Sequence, residues 1–143
     1  MITNKNVFIT GGAGFIANTL IRHYIDKNKI VVYDNFHRDT LTSSGLANHP
    51  NITIVKGDVL DAAALTEAMK GADIVVHRAG IAGIDTVIKN PVKTMQVNMI
   101  GTANALEAAR INGIKDRFVD FSTSEVFGSM AFRSTETDAT VAG

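Results

Sequence analysis

The residues able to do chemistry fall at the ends of short apolar runs. After Val7-Phe8-Ile9-Thr10 comes Gly11-Gly12-Ala13-Gly14-Phe15-Ile16-Ala17. Glycines let a turn take φ > 0 and leave no Cβ between backbone and ligand. The helix-compatible sequence that follows begins with N–H groups that have no partner within the helix, and its dipole favours an anion there. A pyrophosphate satisfies both demands. Gly12-Ala13-Gly14-Phe15-Ile16-Ala17 fits G-x-G-x-x-G/A, in the strand–turn–helix context where that pattern signals dinucleotide binding. The plainer reading of the same residues is an ordinary strand-to-helix turn.

Asp34 closes the next apolar run, about 20 residues further on. A carboxylate there can accept hydrogen bonds from the adenosine ribose hydroxyls and repel a 2′-phosphate, which selects NAD over NADP. Arg38 is the counter-signal, because an arginine can pair with that phosphate. The plainer role for Asp34 is a solvated turn residue. Asp58 follows a third apolar run and fits either an acceptor for the adenine amino group or an Asx turn leading into a helix. Ala79 and Gly80 follow a fourth run and are small enough for their loop to pass close to a cofactor. His77 reads as a satisfied core histidine. His23, His37 and His49 form no ligand spacing with it, so no metal site is proposed.

A fifth run ends in Phe121-Ser122-Thr123-Ser124-Glu125-Val126-Phe127-Gly128. A hydroxyl at a strand's carboxyl end can hold a sugar oxygen, and a carboxylate can act as a general base. The alternative is a polar cap to the strand.

These groups share one crevice only if the elements bring them to one edge. Strands are predicted at about Asn6–Thr10, Lys29–Tyr33, Asn51–Val55, Asp73–His77 and Arg117–Ser122. A helix over Gly14–Asp26 carries Phe15, Ile16, Leu20, Ile21 and Tyr24 at helical spacing, with Tyr24 at the core's edge. Residues 35–50 read mostly as loop. Asp61 is a plausible N-cap for a helix that runs to Lys70 and stops at Gly71. Arg78–Asp85 reads as a loop, and a long helix spans Val92–Asn112. Gly101 inside it implies close packing, since glycine costs a helix about 1 kcal/mol against alanine. Residues 128–143 show no core face. Strands alternating with helices, several of them continuously apolar, predict an α/β fold: a doubly wound parallel sheet of the Rossmann type, order 3-2-1-4-5. The ligand crevice belongs at the strands' carboxyl ends, where the order reverses.

The 143 residues suffice for one domain with a core. Formal net charge is zero, and no basic tract appears, which argues against nucleic acid and anionic membranes as partners. There is no cysteine, so no disulfide, thiolate zinc site or thiol nucleophile is possible. That suits a reducing cytosol, and the expected location is cytoplasmic. No segment approaches the roughly 20 apolar residues of a membrane span.

Together these motifs resemble the extended short-chain dehydrogenase/reductase family, the NAD-dependent epimerases and dehydratases of nucleotide sugars. Thr10-Gly11-Gly12-Ala13-Gly14-Phe15-Ile16 is similar to its cofactor turn, Asp34-Asn35 to its ribose-binding acid and Gly57-Asp58-Val59 to its adenine contact. His77-Arg78-Ala79-Gly80 is similar to its His-x-Ala-Ala segment. Asn98, with Gly101-Thr102, resembles the helix that supports its site. Ser122-Thr123-Ser124-Glu125-Val126-Phe127-Gly128 is close to Ser-Thr-Ser-Glu-x-Tyr-Gly. The resemblance implies that Thr123 hydrogen-bonds the reacting sugar oxygen, and that Ser124 and Glu125 stand where dehydratases and decarboxylases carry acid/base groups. It implies hydride transfer from the sugar C4 to NAD, giving a 4-keto sugar.

Departures from the family pattern are Ala17 for a glycine, Phe127 for a tyrosine, and Arg78, a cation beside the cofactor loop. The family's Tyr-x-x-x-Lys pair is absent, since the only tyrosines are Tyr24 and Tyr33. Residues 1–143 are therefore expected to be the NAD-binding part of a longer enzyme, lacking its substrate domain. Such a chain binds NAD without turning over sugar alone. The rival expectation is a non-catalytic dinucleotide-binding module, or one that self-associates as a homodimer through the sheet edge beyond strand 5.

Overall fold

The computed structural model describes residues 2–123, 126–128 and 134–140. Among these residues five parallel strands form one sheet: β1 (Asn6–Thr10), β2 (Lys29–Asp34), β3 (Ile52–Lys56), β4 (Ile74–His77) and β5 (Arg117–Asp120). The order is β3-β2-β1-β4-β5, as the alternation of elements predicts. In register, Phe8 of β1 lies between Val31 of β2 and Val75 of β4.

Alternation along β1 sorts the core into two layers, because successive side chains point to opposite faces. Val7 and Ile9 join Ile30, Val32 and Val76 against Ala17 and Ile21 of α1 (Phe15–Tyr24). Phe8 joins Tyr33 and Val75 against Leu65 and Met69 from the region of α2 (Ala62–Ala68), and against Ala105 and Ala108. The central strands are buried on both faces, which explains their unbroken apolar sequence.

Three departures from the sequence reading have clear causes. Phe15 and Ile16 fit the helical pattern but are 77% and 49% exposed; the small residues Ala13 and Ala17 turn inward instead, so that α1 lies close to the sheet. Residues 35–50 lack periodicity, yet Leu41 and Leu46 from this stretch are buried and cover the layer beside α1. The predicted helix over Val92–Asn112 forms as α4 (Pro91–Met95), a π-helical turn over Gln96–Ile100 and α5 (Gly101–Ile111), and a further short helix, α3 (Ile84–Lys89), precedes it. Asp61 does cap α2, accepting from the Ala64 amide at 3.0 Å.

Candidate functional site

The glycine turn is fixed from both sides. Gly11 has φ +65°, and a Cβ built on it would lie 2.7 Å from the backbone of Arg78 and Ala79. The turn after β1 thus rests directly against the loop after β4. A Cβ at Gly12 would lie 2.8 Å from the Val32 side chain. Gly14 is the N-cap of α1 and offers no side chain to the helix's first amides. Ala13 is fully buried and its carbonyl accepts from both the amide and the hydroxyl of Thr40, at 2.9 Å each. The result is a notch walled by main chain, with the start of a helix at its base.

Asp34 stands beside this notch. Its Oδ2 accepts the Ala13 amide at 3.0 Å, and its Oδ1 accepts the Phe36 amide at 2.7 Å. The carboxylate is therefore aimed at the turn by two backbone bonds. Phe36 has φ +61°, a conformation that side chains rarely adopt, and the bond from Asp34 holds it there. Asn35 is exposed, and its Oδ1 accepts the His37 amide at 3.0 Å. Arg38 is exposed nearby.

At the end of β3, Asp58 makes the Asx turn that its spacing allowed: Oδ1 accepts the Leu60 amide at 3.0 Å. Its carbonyl accepts the buried Tyr33 hydroxyl at 3.1 Å. Val59 is buried, and its carbonyl accepts from Asn104 of α5 at 2.9 Å.

The loop after β4 is held at several points. Thr10 Oγ1 accepts the amides of Arg78 at 3.0 Å and Ala79 at 3.1 Å. Asn98, in the π-helical turn, clamps Ile81 from both sides. Its Oδ1 accepts the Ile81 amide at 2.8 Å, and its Nδ2 donates to the Ile81 carbonyl at 3.0 Å. Gly80 lies against Asn98, with room for a Cβ only at 3.3 Å from its Oδ1. A π-bulge re-aims side chains within a helix and is frequent at functional sites; here it carries Asn98.

His77 is buried between these parts. Nδ1 lies 2.7 Å from Thr10 Oγ1, and Nε2 lies 3.0 Å from Thr102 Oγ1. Burial lowers its pKa, and the opposing charge of Asp120 raises it by less. The imidazole is satisfied on both nitrogens, as a core histidine is expected to be. The Arg78 guanidinium lies over the Phe121 ring at 5.1 Å, and among the described residues its buried Nε has no hydrogen-bond partner.

Thr123 is exposed just past β5. Ser124 and Glu125 lie outside the described residues. Among the described residues, no cluster of His, Asp and Glu could hold a metal ion, and no helix is long and apolar enough to cross a membrane. The network of Thr10, His77 and Thr102 was not readable as a unit, because His77 is 67 residues from Thr10 and 25 from Thr102.

Residues 7–142 match the NAD dependent epimerase/dehydratase family. A trifunctional UDP-glucose 4,6-dehydratase/UDP-4-keto-6-deoxy-D-glucose 3,5-epimerase/UDP-4-keto-L-rhamnose-reductase of Arabidopsis thaliana is 38% identical over 134 residues, covering 88% of this chain and 20% of the plant protein. The UDP-N-acetylglucosamine 4-epimerase from Methanobrevibacter ruminantium M1, solved with UDP-N-acetylmuramic acid, superposes with a TM-score of 0.86 at 28% identity. That match covers 98% of this chain and 45% of the epimerase. The Bordetella bronchiseptica enzyme WbmG, solved with NAD and UDP, gives 0.85 at 27% identity over 98% of this chain and 44% of its own. The chain thus spans less than half the length of each of these relatives. It belongs to the NAD-dependent epimerase/dehydratase family.

Proposed function

We propose that this chain binds NAD, and that it forms the cofactor-binding portion of a nucleotide-sugar epimerase or dehydratase. The observation that carries the reading is the main-chain notch of Gly11–Gly14 with the Asp34 carboxylate tied to its Ala13 amide. The donor set fits the cofactor. Two linked phosphates call for backbone amides without intervening Cβ atoms, and the vicinal hydroxyls of a ribose call for a carboxylate alongside. Phe15 and Ile16 would present the first amides of α1 to the pyrophosphate. Asp34 and Asn35 would hold the adenosine ribose, and Asp58 and Val59 would border the adenine. Ala79, Gly80 and Asn98 would shape the wall on the nicotinamide side.

When bound, NAD supplies the hydride acceptor for oxidation of the sugar at C4 to a 4-keto sugar. The chain's own groups hold and orient the substrate. Thr123, exposed at the carboxyl end of β5, is the proposed hydrogen-bond partner of the reacting sugar oxygen. Ser124 and Glu125 are the proposed acid/base groups, and by resemblance to the dehydratases and decarboxylases of the family a carboxylate there favours their chemistry over simple epimerisation. The substrate is a nucleotide sugar, as the names of the plant and archaeal relatives suggest. The protein is also proposed to form a homodimer.

Calorimetric titration of the chain with NAD and with NADP tests the cofactor reading. The expected result is saturable binding at one site with NAD preferred. Asp34→Asn should weaken NAD by about tenfold and narrow the gap to NADP, because the charge that grips the ribose and repels the phosphate is gone. Unchanged affinities in that variant would overturn the assignment of Asp34.

A further inference from the structure

The polar atoms around His77 can be assigned donor by donor. A threonine hydroxyl has one proton and two lone pairs. Thr10 Oγ1 accepts two amides, that of Ala79 and that of Arg78, which is shared with the Thr10 carbonyl at 3.1 Å. Both lone pairs are then used, and its single proton has only His77 Nδ1, at 2.7 Å, to go to. Nδ1 must therefore be a bare acceptor, and the neutral ring carries its proton on Nε2. Nε2–H donates to Thr102 Oγ1 at 3.0 Å, and the Thr102 hydroxyl donates onward to the Asn98 carbonyl at 2.7 Å. The chain of bonds runs one way, from β1 through β4 to the π-helical turn. Both of its ends grip the same loop: Thr10 holds residues 78 and 79, and Asn98 holds residue 81.

We propose that His77 is the positioning residue of this loop: as the Nε2–H tautomer it takes the one proton of Thr10, and so leaves both lone pairs of that hydroxyl to fix the Arg78 and Ala79 amides. This rests on the reading of the crevice as a dinucleotide site, since Gly11 packs on that same pair of residues. A second proton on the ring would place an N–H against Thr10 Oγ1. The hydroxyl would then have to release a loop amide to accept it. Protonating His77 loosens the wall of the notch.

The surroundings oppose that charge. Thr10 from β1, Thr102 from α5 and Asn98 from the π-helical turn are uncharged, and the Phe118 ring of β5 lies 6.2 Å away. Asp120, opposite His77 in the β4–β5 register, is the one charge acting on it among the described residues, and it favours the protonated ring. Burial is the larger effect and moves the titration below the usual 6.5.

Nitrogen NMR of the histidine-labelled chain, with amide exchange at Arg78, Ala79 and Ile81, tests this from about pH 8 to about pH 5. The expected spectrum at the upper end has Nδ1 bare and Nε2 protonated. As the ring charges, exchange at Ala79 should rise about tenfold more than at Val75 within β4, the loss of one hydrogen bond, while the Arg78 amide keeps its bond to the Thr10 carbonyl. NAD affinity of the unaltered chain should fall about tenfold over the same range. In His77→Asn, which presents an acceptor to Thr10 and cannot charge, both pH dependences should vanish. A proton on Nδ1 at the upper end, or an Ala79 amide that stays protected when the ring charges, would overturn the proposal. Failure to bind NAD at any pH would sink the dinucleotide reading, and the imidazole and exchange data would still decide the role of His77.

Discussion

Gly11 answers to two separate constraints, and they can be weighed against each other. Its φ of +65° is a conformation that costs an L-residue about 1–2 kcal/mol. Its missing Cβ also leaves room for backbone atoms of Arg78 and Ala79 at 2.7 Å, which cannot rotate away as a side chain would. Gly45 shares only the first constraint, with φ +78° and nothing within 4 Å of a built Cβ. Gly45→Ala should therefore cost about 1–2 kcal/mol, the strain of that conformation alone. Gly11→Ala should cost about 2–4 kcal/mol, adding overpacking to strain. Urea denaturation of the two variants measures the difference. Equal costs would mean that the turn does not press on the loop after β4. At this scale the sequence was most legible where function depends on backbone, as at Gly11–Gly14 and Asp34. It was least legible where a bond spans the chain, as from Thr10 to His77, because neither residue type advertises its partner.

Gly101 sits where the π-helical turn passes into α5, and a Cβ there would lie 2.6 Å from Cγ2 of Val59. In an open helix, replacing glycine by alanine gains about 1 kcal/mol. Here the collision reverses the sign, and Gly101→Ala is expected to destabilise by about 1–3 kcal/mol. Val59→Ala removes the obstructing methyl groups, so the double variant should recover at least about 1 kcal/mol relative to the sum of the single ones. Strict additivity in denaturant unfolding would show that α5 does not pack on Val59 in solution. The close packing was legible, because an interior glycine in a long helix needs a cause. The π-helical turn was not, since Gln96–Ile100 reads as ordinary helix and its tie outside the helix, from Asn98 to Ile81, spans 17 residues. The burial of Leu41 and Leu46 was not legible for a related reason. They are buried singly from a stretch with no repeating pattern, and periodicity detects only faces. Strand order, in contrast, followed from the alternation of elements and the handedness of crossovers.

Across the whole molecule, the largest unexplained feature is an apolar stripe on the helices after β4. Val92, Met95 and Met99 follow one another at steps of three or four residues along α4 and the π-helical turn, and Ile84 and Ile88 share one side of α3, which Asn90 separates from α4. Ile84, Ile88, Val92, Met95 and Met99 are 78%, 72%, 70%, 56% and 60% exposed, while Thr94 and Val97 turn toward the core. Scattered apolar residues on a surface need no explanation, but a continuous stripe marks a contact surface. The edge strand β5 is a poorer candidate for pairing, because it offers only four residues of ladder. The proposed homodimer, where this chain pairs with a second copy, is expected through the helical stripe rather than through the sheet edge. Sedimentation over a range of concentrations should show reversible association of the unaltered chain. Met95→Lys combined with Met99→Lys should shift it to monomer, because a dimer would have to bury both new charges. NAD affinity should be unchanged in that variant, since neither residue borders the notch at Gly11–Gly14. A substitution in β5 that abolishes association while the lysine pair leaves it intact would move the interface to the sheet edge.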